Sequence, residues 1–192
     1  SANNVLNEKI KNNFTNLIFI GRLTKVKKIN QLIHAVYRLK LEKKFFNLTI
    51  IGDGDCKKEL VDLVSKLCLS NQVWFFGKSY NEASISSIIK SADICVSPGN
   101  IGLAAVHSMS YGTPVISNNN FDTQMPEFEL IIPEKTGLFF KENDIADLTI
   151  KILSLKKLIK VKKNKIQQNC FDIIDEFYNP NYQIKILKKV IL

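Results

Sequence analysis

Short apolar runs that end in Gly or Pro alternate along the chain with longer stretches whose apolar residues recur every three to four positions. Five runs read as strands: Leu17-Ile18-Phe19-Ile20-Gly21, Leu48-Thr49-Ile50-Ile51-Gly52, Val73-Trp74-Phe75-Phe76-Gly77, Ile94-Cys95-Val96-Ser97-Pro98 and Pro114-Val115-Ile116-Ser117. Helical spacing follows the first four, over about 29–39 (apolar at Ile29, Leu32, Ile33 and Val36), 56–67, 83–91 and 102–111. Strands that are apolar throughout are buried on both faces, as in a parallel sheet covered by helices. The pattern predicts an α/β fold, a Rossmann-like doubly wound parallel sheet with helices on both faces. From about Asp144 the pattern is helical, broken at Asn179-Pro180 before a last helix to Leu192. The division this implies is one lobe over 1–178 and a C-terminal helix over 179–192.

Ligands of such sheets bind beyond the carboxyl ends of the strands, so the residues after each strand are the candidates for chemistry. Gly21, Arg22 and Lys27 follow the first strand, where a cation can reach a bound phosphate or stand as a solvated loop charge. Gly52-Asp53-Gly54 follows the second and opens like a dinucleotide fingerprint, but position 57 is Lys where a third Gly would stand. That argues against NAD. Asp53-Gly54-Asp55 also spells a D-x-D metal–nucleotide motif, yet Asp ahead of a helix is an ordinary cap. Gly99-Asn100-Ile101-Gly102-Leu103 opens the fourth helix. Its free amides and dipole suit a diphosphate, or its glycines serve only a tight turn. His107, on an apolar segment, is expected to be a satisfied core residue, and His34 to be structural.

Composition narrows this reading. The chain has 192 residues, 45% hydrophobic, with 27 basic side chains against 18 acidic ones, a formal +9. That excludes a disordered chain, and no apolar run approaches the roughly 18 residues of a membrane span. No segment joins a basic start to an apolar core, so no signal peptide is read. The chain begins at Ser1-Ala2 rather than at Met, and is expected to be a piece of something longer. Among the basic residues only Arg22 and Arg38 are Arg, which argues against nucleic acid as the partner, because nucleic-acid readers favour the planar guanidinium. Seven lysines between Lys151 and Lys165, with no acid between Leu148 and Phe171, leave two readings open: peripheral contact with an anionic membrane, or a solvated helix face. Cys56, Cys68, Cys95 and Cys170 lie far apart with no C-x-x-C pair, as expected of reduced, buried thiols in a cytoplasmic protein.

An ordered series of motifs spans about residues 17–150. It runs Phe19-Ile20-Gly21-Arg22-Leu23 with Lys27, Leu48-Thr49-Ile50-Ile51-Gly52-Asp53-Gly54, and Val73-Trp74-Phe75-Phe76-Gly77. It continues through Ser91-Ala92-Asp93-Ile94-Cys95-Val96-Ser97-Pro98, Gly112-Thr113-Pro114-Val115-Ile116 and Glu134-Lys135-Thr136-Gly137-Leu138. The series resembles the C-terminal, donor-binding lobe of the GT-B glycosyltransferases, in the retaining group 1 (family 4) set. The resemblance implies that Arg22 and Lys27 are catalytic, holding the diphosphate of a nucleotide sugar and stabilising the charge of the leaving group. Donor contacts are implied for Gly21, Gly54, the amides of Gly102 and Leu103, and the stretch around Phe76-Gly77-Lys78 against the nucleobase. The family places two Glu eight positions apart around the fourth strand–helix turn, where this chain has Gly99 and His107. Asn100 would then take the first contact, His107 a ribose hydroxyl, and Glu127 or Glu129 would supply a carboxylate.

The implied reaction moves a hexose from a UDP- or GDP-sugar to an acceptor hydroxyl with retention, in surface polysaccharide or glycolipid synthesis. No metal or other cofactor is implied. The setting would be the cytoplasm or the inner face of a membrane. A carbohydrate or lipid-linked acceptor would enter through an N-terminal lobe, toward which the 179–192 helix would cross. On this reading the chain is the C-terminal half of an enzyme and inactive alone. The alternative is a non-catalytic nucleotide-binding or assembly module derived from that lobe.

Overall fold

Thr15–Ile20 (β1), Phe46–Ile51 (β2), Val73–Gly77 (β3), Ile94–Ser97 (β4), Val115–Asn118 (β5) and Gly137–Phe140 (β6) hydrogen-bond in the order β3-β2-β1-β4-β5-β6. The computed structural model describes residues 14–78 and 82–178. Every neighbouring pair of strands is parallel. The expected doubly wound sheet is thus present, with one strand more than the five apolar runs suggested. β6 escapes the pattern because it starts at a glycine and two of its four residues are only partly buried. That glycine is needed: a Cβ on Gly137 would lie 1.9 Å from the Val115 carbonyl oxygen.

The helices are Ile29–Leu41 (α1), Lys57–Lys66 (α2), Glu82–Lys90 (α3), Ala104–Met109 (α4) and Ile145–Phe177 (α5). α1 buries Ile29, Leu32, Ile33, Val36 and Leu39, the stripe its sequence spacing predicts. α4 is six residues, shorter than its pattern suggested. α5 begins where Asp144 accepts a hydrogen bond from the Asp147 amide, an N-cap. It then runs to Phe177, interrupted by non-helical backbone at Lys162 (φ −129°, ψ 31°). The break expected at Asn179-Pro180 and the last helix over 179–192 lie outside the described residues.

Successive residues of a strand face opposite sides of a sheet, so β1 feeds two cores. Leu17 and Phe19 pack with α1 and with Leu148, Ile152 and Leu155 of α5. Ile18 packs on the other face with Cys95, Met109, Val115 and the second part of α5 at Ile166, Cys170 and Ile173. Each such side chain is worth about 1.5–3 kcal/mol when fully buried. Leu158 and Ile159 touch both cores, so α5 passes from one face to the other. It does so round the N-terminal edge of the strands. There the Lys156 ammonium lies 4.6 Å from the centroid of the Phe46 ring, at the start of β2. Ile159 and Lys163 line a small cavity with Asp93 and Pro114, just ahead of β4 and β5.

The thiols are free, but only Cys95 and Cys170 are buried as expected; Cys56 is half-buried and Cys68 exposed in the turn before β3. Burial pushes the Cys95 thiol up to about 11, against a smaller opposing effect from the Ser108 hydrogen bond, and the Cys170 thiol up to about 12. Among the described residues no helix is long and apolar enough to cross a membrane.

Candidate functional site

The strand order reverses between β1 and β4, and the loops leaving those strands diverge to open a cleft of about 540 Å³. Gly21, Arg22, Val26 and Lys27 form one wall; Asn100, Gly102, Leu103 and His107 form the other, with Met125 between.

The β1 loop is braced from the β2 side. The Gly21 amide donates to the Ile51 carbonyl (3.0 Å), Leu23 to Asp53 (2.9 Å) and Cys56 to Leu23 (2.9 Å). A Cβ on Gly54 would lie 2.6 Å from the Leu23 carbonyl oxygen. Gly54 is therefore used where two loops meet, and it does not line the cleft. Asp53 is no helix cap either. Its Oδ1 accepts the Gly54 amide and its Oδ2 pairs with Lys57, while α2, with Cys56 at its N-cap, has no side-chain cap. The hydrogen bond from Gly54 and then the one from Lys57 hold the Asp53 carboxyl below its ordinary range. Among the described residues no group of three or more His, Cys, Asp or Glu could hold a metal ion.

The β4 loop meets the β1 loop directly. The Gly99 amide donates to the Lys27 carbonyl (3.0 Å), and a Cβ on Gly99 would lie 2.0 Å from the Val26 carbonyl oxygen. Asn118 Nδ2 donates to the carbonyls of Pro98 and Gly99, and Gln124 Oε1 accepts the Ile101 amide (2.7 Å). These bonds fix the turn. The next two amides, Gly102 and Leu103, have no backbone partner among the described residues.

The two cations differ. Arg22 is exposed; Lys27 is half-buried and its Nζ donates to the Asn100 carbonyl (2.8 Å). Burial lowers the Lys27 pKa, the neighbouring Arg22 charge lowers it further, and Glu127 pulls it back up. Glu127 stands beside the Gly102 turn without lining the cleft: its Oε2 lies 4.0 Å from where a Gly102 Cβ would stand. That oxygen and Asn100 Oδ1 are buried acceptors without a hydrogen-bond partner among the described residues. Unpaired buried acceptors are costly, and hydroxyl donors would satisfy both.

His107 is exposed on the cleft wall, where a core position was expected; α4 buries Ala105, Ser108 and Met109 instead. Glu129 is exposed and lines a separate shallow cavity with Pro126, Ile173 and Tyr178. Phe76 packs against the core at the end of β3, two strands from β1, and neither it nor Lys78 lines the cleft. Sequence reasoning missed Thr24, Val26 and Met125 on the walls and Gln124 behind them, since none belongs to a motif. A second cleft of about 500 Å³ opens between α1 and α2, with His34, Gln31 and Glu59 in its lining.

Residues 4–169 match the family model of group 1 glycosyl transferases. An uncharacterised glycosyltransferase of Methanocaldococcus jannaschii is 37% identical over 103 residues, covering 52% of this chain and 26% of its own. The fold superposes on HepE of Anabaena in complex with UDP with a TM-score of 0.78 and 18% identity, over 98% of this chain and 52% of that one. It superposes on the C-terminal domain of the group 1 glycosyltransferase LpcC of Francisella tularensis with a TM-score of 0.71 and 23% identity, over 91% of this chain and 92% of that domain. The chain spans about half or less of the length of the curated relatives it matches first, 26% and 47%. The chain belongs to the group 1 glycosyltransferases, and its fold is that of their C-terminal, GT-B lobe.

Proposed function

We propose that the β1/β4 cleft binds a UDP- or GDP-sugar and that the whole enzyme transfers its hexose to an acceptor hydroxyl with retention. The observation that carries this is the convergence on one cleft of Arg22, Lys27 and the Gly102 and Leu103 amides, which have no backbone partner among the described residues. Negative charge grows on a diphosphate as the sugar departs, and preplaced cations and amides stabilise it without reorganising. The Arg22 fork can grip two phosphate oxygens, while Lys27 acts as a point charge fixed by Asn100. Asn100 Oδ1 and Glu127 Oε2 would accept sugar hydroxyls, and His107 would bond the ribose. The acceptor, carbohydrate or lipid-linked, would enter from an N-terminal lobe. Surface polysaccharide or glycolipid synthesis, in the cytoplasm or at the inner face of a membrane, is the setting this donor chemistry fits. No metal is required by this scheme.

Titration of the chain with UDP and GDP tests the reading. Arg22→Ala should weaken binding by about 10- to 150-fold, the loss of a hydrogen bond to a charged group worth about 1.5–3 kcal/mol. An unchanged affinity would remove Arg22 from the site.

A second reading, a non-catalytic module, is favoured by Gly99. The family's first Glu would stand there, yet any side chain at that position collides with the Val26 carbonyl. Transfer of labelled sugar by the chain joined to its N-terminal lobe separates the two: binding without transfer supports the module.

A further inference from the structure

Among the described residues the basic side chains are unevenly divided between the two ends of the sheet. Lys156, Lys157, Lys160, Lys162, Lys163 and Lys165 ride the part of α5 that rounds the strands' N-terminal edge, with no acid among them. The same edge carries Lys43 and Lys44 in the turn into β2, Lys66 at the end of α2 and Lys90 at the end of α3. The acids there are few, and two are engaged: Glu42 pairs with Lys44 (2.7 Å) and Asp93 accepts the Asn16 amide (2.9 Å). The cleft end is mixed, with Arg22, Lys27 and Lys57 standing beside Asp53, Glu127 and Glu142.

Apolar side chains are exposed among these lysines. Val161, flanked by Lys160 and Lys162 at the turn of α5, is 79% exposed; Leu41 at the end of α1 is 65% exposed and Phe45, next to β2, 41%. Lysines interleaved with projecting apolar tips suit a lipid interface, where ammonium groups meet anionic headgroups and the tips enter the acyl boundary. Lysines far outnumber Arg38, the one Arg of this edge among the described residues, and that balance disfavours a nucleic-acid partner.

We propose that the N-terminal edge of the sheet, formed by the turn of α5 and the α1–β2 turn, docks the chain onto an anionic lipid surface. The cleft then lies at the opposite end of the strands, roughly 20 Å away at about 3.3 Å per residue for the six residues of β1, open and facing off the lipid. This docking does not depend on what the cleft binds.

Sedimentation with vesicles of phosphatidylcholine, alone or mixed with phosphatidylglycerol, tests it. The chain should bind the mixed vesicles at low salt, leave them at high salt and ignore phosphatidylcholine. Lys157→Gln, Lys160→Gln and Lys165→Gln together should weaken binding by about fivefold per lysine, and Val161→Asp should weaken it independently of salt. Lys57→Gln, Lys58→Gln and Lys141→Gln remove the same charge at the cleft end and should leave vesicle binding intact. Circular dichroism and a UDP titration check that each variant is folded. Equal losses in the two triple variants would overturn the proposal, as would binding to neither vesicle or equally to both. A DNA duplex that displaces the chain from the mixed vesicles at equal phosphate concentration would also overturn it, in favour of nucleic acid.

Discussion

Arg22 and Lys27 stand in one cleft but differ in what surrounds them, and the difference is measurable. Arg22 is exposed, whereas Lys27 is half-buried and held with its pKa below the ordinary lysine value, first by burial and then by Arg22. In the free chain Lys27 therefore gives up its proton at a lower pH than an exposed lysine does. A bound diphosphate favours the charged form and shifts the pKa back up. UDP binding should take up a proton in the alkaline window between the two values and weaken as pH rises through it. Binding enthalpies in two buffers of different ionisation heat will report that uptake, and Lys27→Met should abolish it. Gly99 supports a second prediction. Its bare α-carbon lets the β1 and β4 loops meet, so Gly99→Ala should destabilise by about 1–3 kcal/mol. Thermal melts at about 2–4 °C per kcal/mol will show it. Both glycines of interest, Gly54 and Gly99, were visible in the sequence as exceptions at strand ends. What each admits was not. Close approach to a ligand and close approach of two loops leave the same mark in a sequence, and here the loops lie against both. His107 misled for a related reason: its neighbours Ala105 and Met109 are buried, but its own direction on α4 is outward.

At the scale of elements, the strands that were easiest to read are those buried on both faces. β2 is buried at all six positions, four of them apolar. β6 was not legible as a strand because half of its residues are only partly buried and a tight turn leads straight into it. That turn is held by Thr136, 1% exposed, whose Oγ1 donates to the Leu130 carbonyl (2.6 Å) and accepts the Ile132 amide (2.7 Å). Thr136→Val keeps the shape and removes both bonds, stranding a buried carbonyl and an amide. A loss of about 1–3 kcal/mol in urea unfolding is expected. The same change should loosen β6 before β1, visible as faster amide exchange at Leu138 and Phe139 than at Ile18. The tail posed the opposite problem. Its helical spacing was plain, but one helix kinked at Lys162 and two helices packed on opposite faces bury nearly the same residues, so the sequence pattern did not separate them.

At the scale of the whole molecule, that kinked helix, like β1, contributes to both cores. Two cores lie on opposite faces of the sheet, and α5 contributes Leu148, Ile152 and Leu155 to one and Ile166, Cys170 and Ile173 to the other. Leu158 and Ile159 join them at the edge. Neither core can open fully while the other keeps its part of α5 in place, so the lobe should unfold in one step. The chain carries its own probes for this. Trp74, the single tryptophan, sits on β3 at one margin of the sheet, and Cys170 is buried under the far part of α5. Burial holds the Cys170 and Cys95 thiols near 12 and 11, so at mildly alkaline pH neither forms the reactive thiolate while folded. Unfolding returns both toward 9.0 and exposes them. In a Cys56→Ser, Cys68→Ser background, pulsed alkylation of Cys170 across a urea series should therefore follow the same curve as Trp74 fluorescence. The midpoints should coincide because exposing Cys170 requires lifting the helix that also seals the β1–α1 face. If Cys170 reacts at a lower urea concentration than Trp74 reports, the two cores open separately and α5 does not couple them. Coincidence that survives Ile159→Ala with both curves moved together would locate the coupling in the helix as a whole. A split produced by that substitution would place it at the edge where α5 rounds the sheet.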